Sequence, residues 1–278
     1  MRKKEIYKSL TPLVSPVFTE SEILFHKWLA GFIDGDGYFH VRQNKYVSLK
    51  ITQATWNLHL LKLLKEKFGG NIYKVKNGPN SHIYRLESTD NVIKIIHAVN
   101  GYIRTNNRTL QFKNACKLYN IEYIQPKALE AKDPYFAGIM DSDGSIIMTL
   151  DIGTNYPRTE ISMTAKYKED IKVFQETFNG TLKKQRNYYA WRIRAKKDIL
   201  FAQKNLQDNL RSNKLIRNNL ISLFYELKEK RAYKKDNKEN EQFEQLLKAW
   251  YNNGADIYRK GCEGIPYTAK ARKERTEQ

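Results

Sequence analysis

A nine-residue pattern occurs twice in this chain, 107 positions apart: Leu29-Ala30-Gly31-Phe32-Ile33-Asp34-Gly35-Asp36-Gly37 and Phe136-Ala137-Gly138-Ile139-Met140-Asp141-Ser142-Asp143-Gly144. Each copy is an apolar run with small residues at its centre, ends in Asp-x-Asp-Gly, and is followed by an alternating, strand-like segment. Other landmarks keep the offset. Tyr84-Arg85-Leu86 returns as Trp191-Arg192-Ile193 and Arg104-Thr105-Asn106 as Arg211-Ser212-Asn213, both 107 residues on. Phe68-Gly69-Gly70 returns as Phe178-Asn179-Gly180 at an offset of 110, so small length changes compensate inside the unit. A period this long is a duplicated domain and not a solenoid.

The duplication frames the local signals. Thr19 and Glu22 form a capping box that opens a helix through Trp28 to about Asp34, stopped at Gly35 or Gly37. In the second copy Asp133 can cap and Pro134 can take the first helical position. Both motifs therefore end helices. After the first, Tyr38–Gln53 reads as a hairpin turning near Gln43-Asn44-Lys45, with Phe39, Val41, Leu49 and Ile51 on one face. Further strands fall near 72–76 and 83–87, then near 145–152, 158–164, 181–186 and 188–194. The fold class is α+β: a tandem, pseudo-two-fold repeat of αββαββα units. Each unit carries a four-stranded antiparallel sheet, and two packed motif helices join them. The expected segments are an N-terminal extension over 1–21, a first repeat over 22–125, a second over 126–230, and a basic helix and tail over 231–278.

Composition narrows the partners. The 278 residues carry 49 Lys+Arg against 30 Asp+Glu, a formal net charge of +19, which is the footprint of a polyanion partner. The 12% aromatic content argues against disorder. Cys116 and Cys262 supply neither a zinc site nor a disulfide framework. No apolar run approaches membrane-spanning length and no secretory signal is evident, so no membrane partner is expected.

Small residues at Ala30, Gly31 and Gly35, and at Ala137, Gly138 and Ser142, let two helix backbones pack closely. Helix C-termini carry unpaired carbonyls and partial negative charge. Asp36 and Asp143 stand there, so two carboxylates and several carbonyls converge into an oxygen-rich pocket suited to a hard divalent cation such as Mg²⁺. Taken singly, an Asp before Gly is a turn residue; the duplication argues for more.

The paired motifs resemble those of the LAGLIDADG homing endonuclease family in its single-chain, two-motif form, over roughly residues 22–225. The second copy departs from the family pattern at Phe136 and Ser142. The resemblance implies that Asp36 and Asp143 ligate catalytic metals, helped by the carbonyls of Gly35 and Ser142, and that the two centres cut opposite DNA strands. It assigns Asp34 and Asp141 to packing or capping. It makes Gln53 a residue that orders solvent near the scissile phosphate, with Ala165 as its counterpart, and Lys214 an electrostatic helper. Asn107 stands where a Lys is common, so the two centres are expected to be unequal. It further implies Mg²⁺ as cofactor, Mn²⁺ as a substitute and Ca²⁺ supporting binding without cleavage, in a monomer encoded by an organellar intron of a mitochondrion or chloroplast.

On such a scaffold the sheets face double-stranded DNA. Alternation and charge nominate Tyr38, His40, Arg42, Lys50, Lys74, Lys76 and Arg85 in the first unit. They nominate Lys184, Arg186, Arg192 and Arg194 in the second. About half of such cations in a basic protein are plain surface groups. Tyr84 and Trp191, of opposite parity, read as core. The competing function is a maturase that assists splicing of the host intron RNA, which needs a basic surface but no paired metal ligands. A DNA-binding regulator without catalysis predicts a missing acid, and both are present.

Overall fold

A computed structural model of the chain describes residues 16–252 apart from 44, 77–79 and 152–153. The expected arm over the first fifteen residues and the tail beyond 252 lie outside them. The chain divides after Asp143 into two compact units.

In the first unit, helix α1 (Glu20–Asp36) begins at the expected capping box: Thr19 accepts from the Glu22 amide, and the Glu22 side chain reaches back to the Thr19 amide. It ends at Asp36 with Gly37 as its C-cap, the later of the two stops the sequence offers. Strands β1 (Gly37–Arg42) and β2 (Tyr46–Ala54), helix α2 (Leu58–Phe68), and strands β3 (Asn71–Lys74) and β4 (Ser81–Leu86) follow. Helices α3 (Thr89–Val99), α4 (Asn106–Leu118) and α5 (Pro134–Ser142) complete it. The sheet is antiparallel in the order β1-β2-β4-β3. One face buries Phe39, Leu49, Ile51, Tyr84 and Leu86 against Leu60, Leu61 and Leu64 of α2, Ile96 of α3 and Phe112 of α4. Each such side chain contributes roughly 1.5–3 kcal/mol. The other face is left open.

The second unit repeats the order with β5 (Ser145–Leu150), β6 (Pro157–Ala165), α6 (Glu169–Phe178), β7 (Thr181–Lys184), β8 (Tyr189–Ile193), α7 (Lys196–Leu206) and α8 (Lys214–Glu229). Its sheet runs β5-β6-β8-β7 and buries Met148, Ile161, Met163, Trp191 and Ile193. Tyr84 and Trp191 are fully buried, as their parity indicates. Helix α9 (Asn240–Asn252) is additional to the repeat. It buries Phe243, Leu246 and Trp250, accepts from Arg217 Nε at the Trp250 carbonyl (3.2 Å), and donates from Tyr251 Oη to the Met148 carbonyl on β5 (2.9 Å).

The repeated Phe-x-Gly has a backbone cause. Gly70 and Gly180 adopt φ of 83° and 90°, and a Cβ there would lie 2.6 Å from the Arg85 carbonyl and 2.5 Å from the Arg192 carbonyl. Only glycine fits where α2 and α6 hand over to the next strand.

Candidate metal centre and nucleic-acid interface

The two motif helices α1 and α5 both lie in the first unit, in backbone contact. A Cβ on Gly31 would sit 2.2 Å from the Tyr135 carbonyl, and one on Gly138 would sit 1.9 Å from the Trp28 carbonyl. These pairs are related by the 107-residue period, so the contact is reciprocal. The same reciprocity governs the earlier acids. Trp28 Nε1 donates to Asp141 Oδ2 (2.8 Å), and Tyr135 Oη donates to Asp34 Oδ2 (2.7 Å). Asp34 also accepts from the Arg104 amide (2.7 Å), the Thr105 amide (3.3 Å) and Thr105 Oγ1 (2.9 Å). Burial nevertheless pushes its carboxyl up to about 6, because four donors only partly offset the loss of water. Asp34 thus ties the start of α4 to the motif helices.

At the C-terminal ends of this seam stand the proposed metal ligands. Gly35 lies against Ser142, and a Cβ on Gly35 would come within 3.3 Å of Asp143 Cγ. Asp36 is half-buried and Asp143 exposed. Gln53, buried on the helix side of β2, donates from Nε2 to Asp36 Oδ2 and is itself held by Asn57 Nδ2 at Oε1 (3.1 Å). Asp36, Asp143, Gln53, Gly35 and Ser142 are therefore brought together. The donors are carboxylate and carbonyl oxygens, which fits a hard cation of the Mg²⁺ or Ca²⁺ kind. Among the described residues no group of three or more His, Cys, Asp or Glu converges, so a cation would rely on one carboxylate from each helix plus backbone oxygens.

Sequence reasoning favoured Lys214 over Arg108 as the basic residue of the site. Its Nη2 donates to the carbonyls of Asp34 and Gly35 (both 3.3 Å), and its Nη1 donates to Gln111 Oε1 (2.9 Å). Gln111 Oε1 also accepts from the Phe39 amide (3.2 Å). Asn57 and the Trp28–Tyr135 pair were missed, although the pair shares the 107-residue offset of the acids it serves. Lys214 is the first residue of α8, half-buried, with its amide on Ser212 Oγ (3.2 Å); it belongs to the second unit.

Strand register sorts the nominated contact residues. Tyr38 pairs with Lys50, Lys50 with Arg85, and Arg42 with Tyr46, so all five share the open face of the first sheet with His40. Tyr38 Oη meets His40 Nδ1 (3.2 Å), Arg42 Nη1 donates to Tyr46 Oη (3.2 Å), and Arg85 lies 5.3 Å over the Tyr73 ring. Lys74 departs from expectation: it pairs with His82, in the rank of Ile72 and Tyr84 on the helix side, while Tyr73 takes the open face. Lys184 departs in the same way. It pairs with Tyr189 in the rank of Trp191, and Lys183 is the outward residue. The edge strand is short enough for a Lys on either face to reach water, so charge did not reveal parity. Lys76 and Arg186 are exposed in turns beyond the strands.

On the second sheet's open face Arg192 and Arg194 both pair with Glu160 (3.5 and 2.6 Å), and Arg158 pairs with Asp151 (2.8 Å). Arg158, Glu160, Arg192 and Arg194 line a cleft of about 640 Å³ that also touches Lys196, Tyr225 and Lys228.

Comparison with known proteins gives the geometry its relatives. Residues 29–119 match the family described as LAGLIDADG endonuclease. The intron-encoded RNA maturase bI4 of Saccharomyces cerevisiae is 35% identical over 83% of this chain and 37% of its own length. The probable intron-encoded endonuclease aI2 of Debaryomyces hansenii is 33% identical over 75% of this chain and 34% of its own. The chain thus spans about a third of the length of these curated relatives. Two solved structures share the fold: the LAGLIDADG homing endonuclease I-GzeII in complex with its DNA target (TM-score 0.62, 14% identity, 83% of this chain and 98% of that one) and the meganuclease I-AabMI bound to uncleaved DNA (TM-score 0.60, 18% identity, 81% and 97%). With paired motifs, reciprocal motif helices and two matching sheets, this chain resembles the LAGLIDADG endonuclease family, whose model matches its residues 29–119.

Proposed function

We propose that the chain is a site-specific double-strand DNA endonuclease, intron-encoded, that acts as a monomer in an organelle on a long asymmetric site. The observation that carries this reading is the meeting of Asp36 and Asp143 at adjoining helix C-termini, with Gly35 packed on Ser142. A bound Mg²⁺ would activate water and stabilise charge on the phosphodiester, with Mn²⁺ able to replace it. Asp36 and Asp143 would hold it with the carbonyls of Gly35 and Ser142. Gln53 orients the Asp36 carboxylate and offers an amide beside it. Lys214 is the proposed electrostatic helper of the other half. Tyr38, His40, Arg42, Lys50 and Arg85, with Arg192 and Arg194, would meet the DNA grooves; Lys74, Lys76, Lys184 and Arg186 would serve as flanking phosphate contacts. One solved neighbour is described as bound to an uncleaved DNA target in the presence of calcium ions, which supports Ca²⁺ as a binding-only ion here.

The test joins the sequences that flank the reading frame as if an intron were removed and incubates that duplex with protein and Mg²⁺. A specific break near the junction is expected. Tight binding without a cut in Mg²⁺ or Mn²⁺ would overturn the nuclease reading. It would favour an RNA-splicing role instead, a second reading supported by the name of the yeast relative.

A further inference from the structure

We infer that Arg108 is a built-in counter-cation of the motif-helix ends, a positioning residue that competes with the metal for the Gly35 carbonyl. This rests on the metal-centre reading above. The guanidinium donates from one nitrogen to the carbonyls of Asp34 and Gly35, the last turn of α1, where helix carbonyls lack intrahelical partners. The carboxylates of Asp34, Asp36 and Asp143 all act on it electrostatically. Its Nε is buried without a hydrogen-bond partner, so the group is held there at a desolvation cost that the surrounding negative charge only partly offsets. Gln111 fixes its other end and is anchored in turn on the first strand.

The repeat does not keep this cation at the equivalent position. At the 107-residue offset, Asn107-Arg108 corresponds to Lys214-Leu215. The basic residue has moved by one position, about 100° around the helix start. In the first half a planar, permanently charged fork grips carbonyls; in the second, Leu215 occupies the equivalent position and offers no donor. A divalent ion entering beside Gly35 must therefore share that carbonyl with a fixed positive charge.

Mn²⁺ binding to the intact protein, followed by electron paramagnetic resonance with circular dichroism as the folding control, tests this. Arg108→Gln removes the charge and keeps an amide donor; Arg108→Lys keeps the charge. Arg108→Gln should bind Mn²⁺ at least about tenfold more tightly, as expected for removing a unit charge a few ångströms from the ion. Arg108→Lys should bind it as the wild type does, and this variant carries the test if Arg108→Gln fails to fold. Unchanged or weaker binding in Arg108→Gln, or tightening in Arg108→Lys, would overturn the inference. Asp36→Asn separates the two readings. If it leaves Mn²⁺ binding intact, the metal centre itself is wrong; if it abolishes binding that Arg108→Gln does not alter, only the role of Arg108 falls.

Discussion

The two sheets present opposite solutions to holding cations on an open face. In the first unit the arginines rest on rings and hydroxyls: Arg42 on Tyr46, Arg85 over Tyr73. In the second they are held by carboxylates: Arg192 and Arg194 on Glu160, Arg158 on Asp151. A cation on an aromatic ring keeps its full charge for a phosphate. A cation paired with an acid must first exchange that partner, and meanwhile is pre-oriented. On the proposed nuclease reading, the first face would serve grip and the second discrimination. At the motif helices, by contrast, the two copies of the repeat are near equals, each glycine facing the other's carbonyl and each aromatic serving the other's acid.

The equality at the seam makes the largest prediction. Gly31→Ala and Gly138→Ala each force a methyl into a backbone carbonyl and should each cost at least about 3 kcal/mol of unfolding free energy in urea titrations. If one is tolerated and the other is not, the reciprocal seam is wrong. Next comes the hydrogen bond to Asp34. Because its carboxyl sits near 6 in the fold, above the ordinary value near 4, folding favours the protonated form. That contribution is full below pH 4 and is lost as pH rises through 6. Above pH 6 the buried anion depends most on its donors. Tyr135→Phe should therefore cost about 2 kcal/mol at pH 7.5 and about half that at pH 4.5. An equal cost at both pH values would mean Asp34 does not titrate in between.

The faces give smaller and opposite effects. Glu160→Gln frees two arginines and should raise affinity for non-cognate duplex several-fold at low salt, steepening the salt dependence by about one to two in log–log slope. Lys50→Gln on the first face should do the reverse, flattening it by about one. If both substitutions shift the slope in the same direction, the contrast between the faces fails.

Much of this was legible in the residues. The period, the capping box at Thr19, the cap at Asp133 and the helix-ending acids depend on local chemistry, which sequence displays. The edge strand β1 and the central strands β2, β4 and β8 were readable because they alternate between core and water. The short edge strands β3 and β7, of four residues each, were not, since Lys74 and Lys184 sit where a long side chain reaches solvent from the covered face as well. Arg108 was harder still. It looks like one more surface cation among many, and only the packing of α4 against the end of α1 turns its fork onto the Asp34 and Gly35 carbonyls. Gln53 was found through family resemblance, but its support from Asn57 depends on the local 3-10 turn after β2.

The most direct measurement is strand-resolved cleavage of the joined-flank duplex by wild-type protein, Asp36→Asn and Asp143→Asn, alongside duplex binding in Ca²⁺. Losing one ligand of a shared, oxygen-only centre should lower double-strand cleavage by at least about a thousandfold in either variant, on the scale of removing a principal electrostatic group, while binding in Ca²⁺ persists. Cleavage at the wild-type rate in either variant would contradict the assignment of these carboxylates to the metal.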